Sequence, residues 1–220
     1  ASEDLALFDL DAGSPGGPDY FSLPFPNDVR RGEAGLDLSG FPSPGTIVPV
    51  DLVGRYADAI AADLDGFSVN PTVWFRFASR YDRESLCATD DPCVPRIELV
   101  DLTRPTAPPL PLRWLTTDRP EGARRVTRYA CDHWLGVRPP LGRPLEPGRT
   151  YAVVLRTGIT RVDGGEPFVR DADLVPLLAP GGDGPAWQAY APLRNWLAAN
   201  RDDGSTVLNA TVFTTQTFGD

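Results

Sequence analysis

Methionine and lysine are absent from this chain, and histidine occurs once. With no Met, Ala1 is expected to follow processing or cleavage from a longer chain, any signal peptide having already gone. All 21 basic residues are Arg, which we read as genome composition because Ala, Gly and Pro are also plentiful. Arg still offers the planar, bidentate contacts that Lys does not. Positive charge is scarce against 30 acidic residues, and the net charge of -9 argues against nucleic-acid backbones and anionic membrane surfaces as main partners. Three cysteines and one histidine have no ligand-pair spacing of the zinc kind, so neither a metal nor another cofactor is expected. No apolar run reaches the length of a transmembrane segment.

Turn formers, by contrast, are abundant: Gly 21 and Pro 24 in 220 residues favour short strands joined by many turns over long helices. The stretch from Leu145 to Ile159 shows the pattern. Pro147-Gly148 is a turn signal, and Tyr151, Val153 and Leu155 then alternate with Ala152, Val154 and Arg156 before Asp163-Gly164-Gly165 breaks the chain again. Further strands are expected at Val73–Phe77, Arg96–Leu102, Leu110–Leu115, Val126–Ala130, Trp134–Val137 and Thr206–Thr215. About seven such segments suit two facing sheets. The expected fold is mainly β, an Ig-like antiparallel sandwich with two short helices and an irregular N-terminal arm. Residues 1–50 form the arm, with aromatics plugging into the body, residues 51–70 a helix and connector, and residues 71–217 the sandwich, with a helical insertion near 185–200.

The first helix is expected from Asp51, a suitable N-cap, to Asp65, with Gly66 at the C′ position. Leu52, Tyr56, Ile60 and Leu64 make one apolar stripe, which we read as core packed on a sheet. The second helix starts at Pro185 and ends near Asn200. It is expected to cap the sandwich within this chain. Its Trp187, Tyr190 and Trp196 are also the best candidates for an interaction surface, because Trp and Tyr anchors carry interface energy.

Residues able to do chemistry are few. The nucleophile elbow Gly-x-Ser-x-Gly is missing, and most serines sit among turn residues. Gly181-Gly-Asp-Gly184 lacks the Lys-Ser/Thr of a phosphate loop and reads as a linker. Asp9-Leu-Asp11-Ala-Gly13 begins like a calcium loop without its later oxygen ligands. His133 has Asp132 beside it, yet neighbours on a strand point to opposite faces, so a structural role is expected. Glu98 and Asp101 are the one carboxylate pair with apolar neighbours, and suit a solvated strand face. Arg119, Arg124, Arg125 and Arg128 form the one basic cluster, either an anion site or a solvated face. Cys87 and Cys93 bracket a short turn-rich loop; a disulfide there implies an oxidising, exported setting, and the alternative is two reduced thiols. Cys131 is left over as a small buried hydrophobe. No catalytic residue is nominated.

Several motifs taken in order resemble the N-terminal region of secreted bacterial lipase-like proteins of the virulence-factor lipase type. They are Leu23-Pro-Phe-Pro-Asn-Asp28 followed by Gly35-Leu-Asp-Leu38, Leu64-Asp-Gly-Phe-Ser68, Leu145-x-Pro-Gly-x-Thr-Tyr-x-Val-Val-Leu155, and Phe213-Thr-Thr-Gln-Thr217. The second half is also similar to Ig-like modules of bacterial surface proteins. The region from 104 to 143 does not match the pattern. The resemblance implies an exported, non-catalytic accessory module, at the cell surface, in the periplasm or outside the cell, partnered by a downstream α/β-hydrolase domain of the same polypeptide. The rival expectations are a stand-alone esterase or carbohydrate-active hydrolase, and a structural or adhesive surface domain.

Overall fold

The computed structural model describes residues 3–32, 35–43, 50–86, 95–116, 132–162 and 165–218. Its strands are β1 (Leu5–Ala6), β2 (Arg31–Gly32), β3 (Gly35–Leu36), β4 (Val73–Arg76), β5 (Ile97–Asp101), β6 (Arg113–Thr116), β7 (Trp134–Arg138), β8 (Thr150–Arg156), β9 (Val169–Arg170) and β10 (Val207–Thr214). Its α-helices are α1 (Leu52–Asp63), α2 (Leu174–Leu178), α3 (Gly184–Ala189) and α4 (Ala191–Ala199). The expected strand at 126–130, the arginines at 119–128 and all three cysteines, with the Cys87–Cys93 pairing, lie outside the described residues.

The fold is mainly β and is built around β8. Two antiparallel sheets, in strand orders β10-β8-β5 and β4-β7-β6, enclose one apolar core. The period-two pattern of β8 sends Tyr151, Val153 and Leu155 into that core, where they meet Phe75, Leu135 and Val137 from the other sheet. Ala152 and Val154 point the opposite way, yet they are as fully buried, because a second core covers that face. Each fully buried Val or Leu here stabilises by about 1.5–3 kcal/mol. A strand buried on both faces is why this segment is apolar throughout.

The cover on that second face comes from α2, α3, α4 and the arm. Leu174, Tyr190, Leu193, Trp196 and Leu197 pack over Val100, Ala152, Val154, Ala210 and Val212. The helix expected from Pro185 to Asn200 is broken at Tyr190, which separates α3 from α4. Helix α2 was not foreseen: Pro176 stands inside it, and its five residues are too few to show a period.

The arm is attached by buried polar residues of β10. Opposite Leu155 and Val153 stand Asn209 and Thr211, both fully buried. Asn209 Nδ2 donates to the carbonyls of Ala6 (3.2 Å) and Leu7 (2.9 Å), and Thr211 Oγ1 donates to Pro26 O (2.5 Å). The arm therefore fills the edge between the sheets that apolar side chains would otherwise fill. Phe8 and Tyr20 of the arm are buried, and Phe8 meets Tyr190 edge to face at 5.8 Å. β1 pairs in parallel with β9, a pairing too short and too distant in sequence for any local pattern to announce.

A candidate binding groove under the first helix

Helix α1 begins as its sequence prescribes. Asp51 caps it by accepting the Gly54 N–H at 2.9 Å, and Ser43 Oγ donates to the other carboxylate oxygen at 2.6 Å. These bonds hold the Asp51 carboxyl below its usual range. Of the stripe expected to be core, only Leu64 packs against the core, and it does so partly buried. No residue of α1 is fully buried, and Leu52, Tyr56 and Ile60 are 58%, 69% and 38% exposed. One large apolar residue per turn is too narrow a stripe to seat a helix against a sheet, which needs three or four per two turns.

What α1 does touch is the β2–β3 hairpin. Gly35, with φ +112°, lies so close that an added Cβ would come within 2.6 Å of Ala61 O, so only glycine fits there. Between the helix and the sandwich edge lies a groove of about 400 Å³. Val53, Tyr56, Ala57, Ile60 and Leu64 form its helical wall. Phe25, Leu36, Leu38, Phe41 and Phe67 form the opposite side, with Phe25 and Phe67 edge to face at 5.6 Å. The remaining lining includes Ser68, Asn70, Thr72 and Gln216, which add hydroxyl and amide groups.

The far wall is rigidly held. Phe67 N–H donates to Thr214 O (2.8 Å), and Gln216 N–H donates to Phe67 O (2.7 Å), a parallel bridge. Gly66 is consequently a close-approach position and not the helix C′ residue: a Cβ there would lie 2.7 Å from Gln216 N, and α1 has already ended at Leu64. The Asn27-Asp28 pair of the Leu23–Asp28 motif fastens the same wall. Asp28 accepts from Thr214 N (2.9 Å) and Thr214 Oγ1 (2.6 Å), while Asn27 Nδ2 donates to Tyr190 Oη (3.0 Å). Burial raises the Asp28 carboxyl above its usual range and outweighs those two donors.

The second helical region caps the sheet, as expected, but two of its three candidate contact aromatics are turned inward to do so. Tyr190 is fully buried and Trp196 is 6% exposed, so neither offers a contact surface. The Tyr190 hydroxyl donates to Ala210 O at 3.0 Å, and burial drives its pKa far up. Trp187 is half-buried, with Nε1 bonded to Ala179 O (3.0 Å) and the Arg194 guanidinium 3.6 Å above its ring. The physical reason is the sheet: Ala152, Val154, Ala210 and Val212 present an apolar face that this helix pair covers together with α2 and the arm. Capping within the chain consumes all three aromatics.

Glu98 and Asp101 are not a free carboxylate pair. Asp101, its side chain 1% exposed, binds Arg104 (2.8 Å) and Arg149 (3.1 Å), and Glu98 binds Arg156 at 2.6 Å. His133 adopts φ +64° on the turn into β7, its carbonyl accepting the Phe77 N–H at 3.0 Å. Among the described residues no group of three or more His, Cys, Asp or Glu could hold a metal ion, and no helix is long and apolar enough to cross a membrane. No family model, curated protein or solved structure matches this chain.

Proposed function

We propose that the chain is a non-catalytic binding module, Ig-like in architecture, of an exported, hydrolase-like bacterial protein, and that the groove under α1 is its binding face. It would pack beside a downstream domain of the same polypeptide and shape that domain's substrate entrance. The observation that carries this reading is the unburied apolar stripe of α1, standing over a groove whose opposite side is aromatic. Leaving Tyr56 and Ile60 in water gives up stabilisation that burial would supply, which is the mark of a surface meant to be covered.

The test is the triple variant Leu52→Ser/Tyr56→Ser/Ile60→Ser. Exposed positions contribute about 0.5 kcal/mol or less each, so its melting temperature is expected to stay within roughly 5 °C of the parent. Its fluorescence with the neutral dye N-phenyl-1-naphthylamine should fall by at least half. Cooperative unfolding of the variant at room temperature would show that the stripe is core and sink the reading. The same preparation is expected to be inert towards a panel of aryl esters and glycosides, and turnover above background would contradict a non-catalytic module.

A further inference from the structure

We propose that the groove under α1 takes an uncharged amphiphile, with its hydrocarbon chain along the aromatic side and a hydroxylated head at Asn70, Thr72 and Gln216. This rests on the reading of the groove as a binding face and names its occupant. Charge complementarity points to this class. Charged residues make up 23% of the chain, and both signs are spread along it. None of the described residues lining the groove is Asp, Glu, Lys, Arg or His. An ionised ligand entering would leave water with no opposite charge to meet it, and an unpaired buried charge is strongly disfavoured.

Size and polarity narrow the class further. About 400 Å³ falls in the range of small-molecule sites. Phe25, Leu36, Leu38, Phe41, Ile60 and Phe67 supply an apolar lining suited to methylene groups, while the side-chain amides of Asn70 and Gln216 supply both donors and acceptors. Those amides lie in the segments on either side of the bridge between Phe67 and Thr215, which fixes them on the rigid wall opposite the helix. An apolar bore with neutral hydrogen-bonding groups selects a chain bearing hydroxyls, such as a monoacylglycerol, over a fatty-acid anion of equal length.

The experiment measures displacement of the neutral dye N-phenyl-1-naphthylamine from the full 220-residue chain, below the aggregation concentration of each ligand. Monolaurin is expected to compete saturably with a stoichiometry near one, and laurate at pH 8 to compete at least tenfold more weakly. Ala57→Glu, which puts a carboxylate into the helical wall, should weaken monolaurin at least tenfold. If its melting temperature drops, Ile60→Asn, at a 38% exposed site, replaces it with the same expectation. Leu141→Ser, at a 76% exposed site outside both the stripe and the lining, should leave affinity within twofold. Equal affinity for laurate and monolaurin overturns the inference, and so does equal loss in all three variants. Absence of saturable monolaurin binding, combined with the dye loss in the triple-serine variant above, overturns the ligand class while leaving the groove as a face for a macromolecule.

Discussion

Tyr190→Ala is expected to cost this fold about 5 kcal/mol, the loss of a buried aromatic plus orphaned hydrogen-bonding groups on Asn27 and Ala210. Tyr190 is fully buried where α3 meets α4. It touches Phe8 of the arm, and its hydroxyl links Asn27 to β10. One substitution therefore loosens the helices, the arm and the central sheet together. At 2–4 °C per kcal/mol for a chain of this size, the melting temperature should fall by roughly 10–20 °C. Tyr190→Phe keeps the ring and removes the hydroxyl, so about 1–3 kcal/mol is expected from that change alone. Thermal and urea denaturation of the pair separate packing from hydrogen bonding. If Tyr190→Ala unfolded like the parent, the helical layer would not be core.

Asp101 should set the acid limit of stability. Burial alone would raise its carboxyl, but hydrogen bonds from Thr103, Arg104 and Arg149 outweigh that and hold it below the usual carboxylate range. A carboxylate depressed in the folded state contributes stability that is complete above the unfolded value of about 3.9 and is lost as pH falls through the folded value. Asp101→Asn is therefore expected to cost about 2 kcal/mol at pH 7, the scale of hydrogen bonds to a charged group. The loss is kept moderate because Arg104 and Arg149 are 52% and 30% exposed and can turn to water. As pH falls through that depressed folded value the variant and parent should converge, because the parent's Asp101 is then protonated too. A constant gap from pH 7 to pH 2 would contradict this assignment. Asp28 works in the opposite sense: its raised carboxyl favours the protonated folded form, so acid relieves the cost of burying its charge.

What could be read from the residues alone depended on how local the cause was. The strand at Tyr151–Leu155 was legible because period two and flanking turns are properties of a few consecutive residues. The N-cap at Asp51 was equally local. The strand's burial on both faces was not read, because Arg156 shares the second face with Ala152 and Val154 and the helical cover comes from residues far along the chain. The capping role of the second helical region was legible, whereas the exposure of the first was not, because a stripe reports amphipathicity and not what it faces. Leu52, Tyr56, Ile60 and Leu64 recur once per turn, whereas Tyr190, Leu193, Trp196 and Leu197 crowd one side of α4 and its N-cap, a wide stripe that buries. That difference in width was the available signal. The groove was beyond local reading. Its sides come from residues as distant as Phe25, Ile60 and Gln216, and it exists because Asn209, Thr211 and Thr214 pull the arm onto β10. Gly66 shows the same limit: its need for close approach comes from Thr214–Gln216, far away in sequence.

Hydroxyl-radical footprinting of the native chain, read residue by residue by mass spectrometry, tests most directly which aromatic face is open. Tyr56, 69% exposed, should be oxidised readily, while Tyr190 and Trp196 should react at least tenfold more slowly until the protein unfolds. Rapid native-state oxidation of Tyr190 and Trp196 with protection of Tyr56 would contradict both the buried helical layer and the open groove.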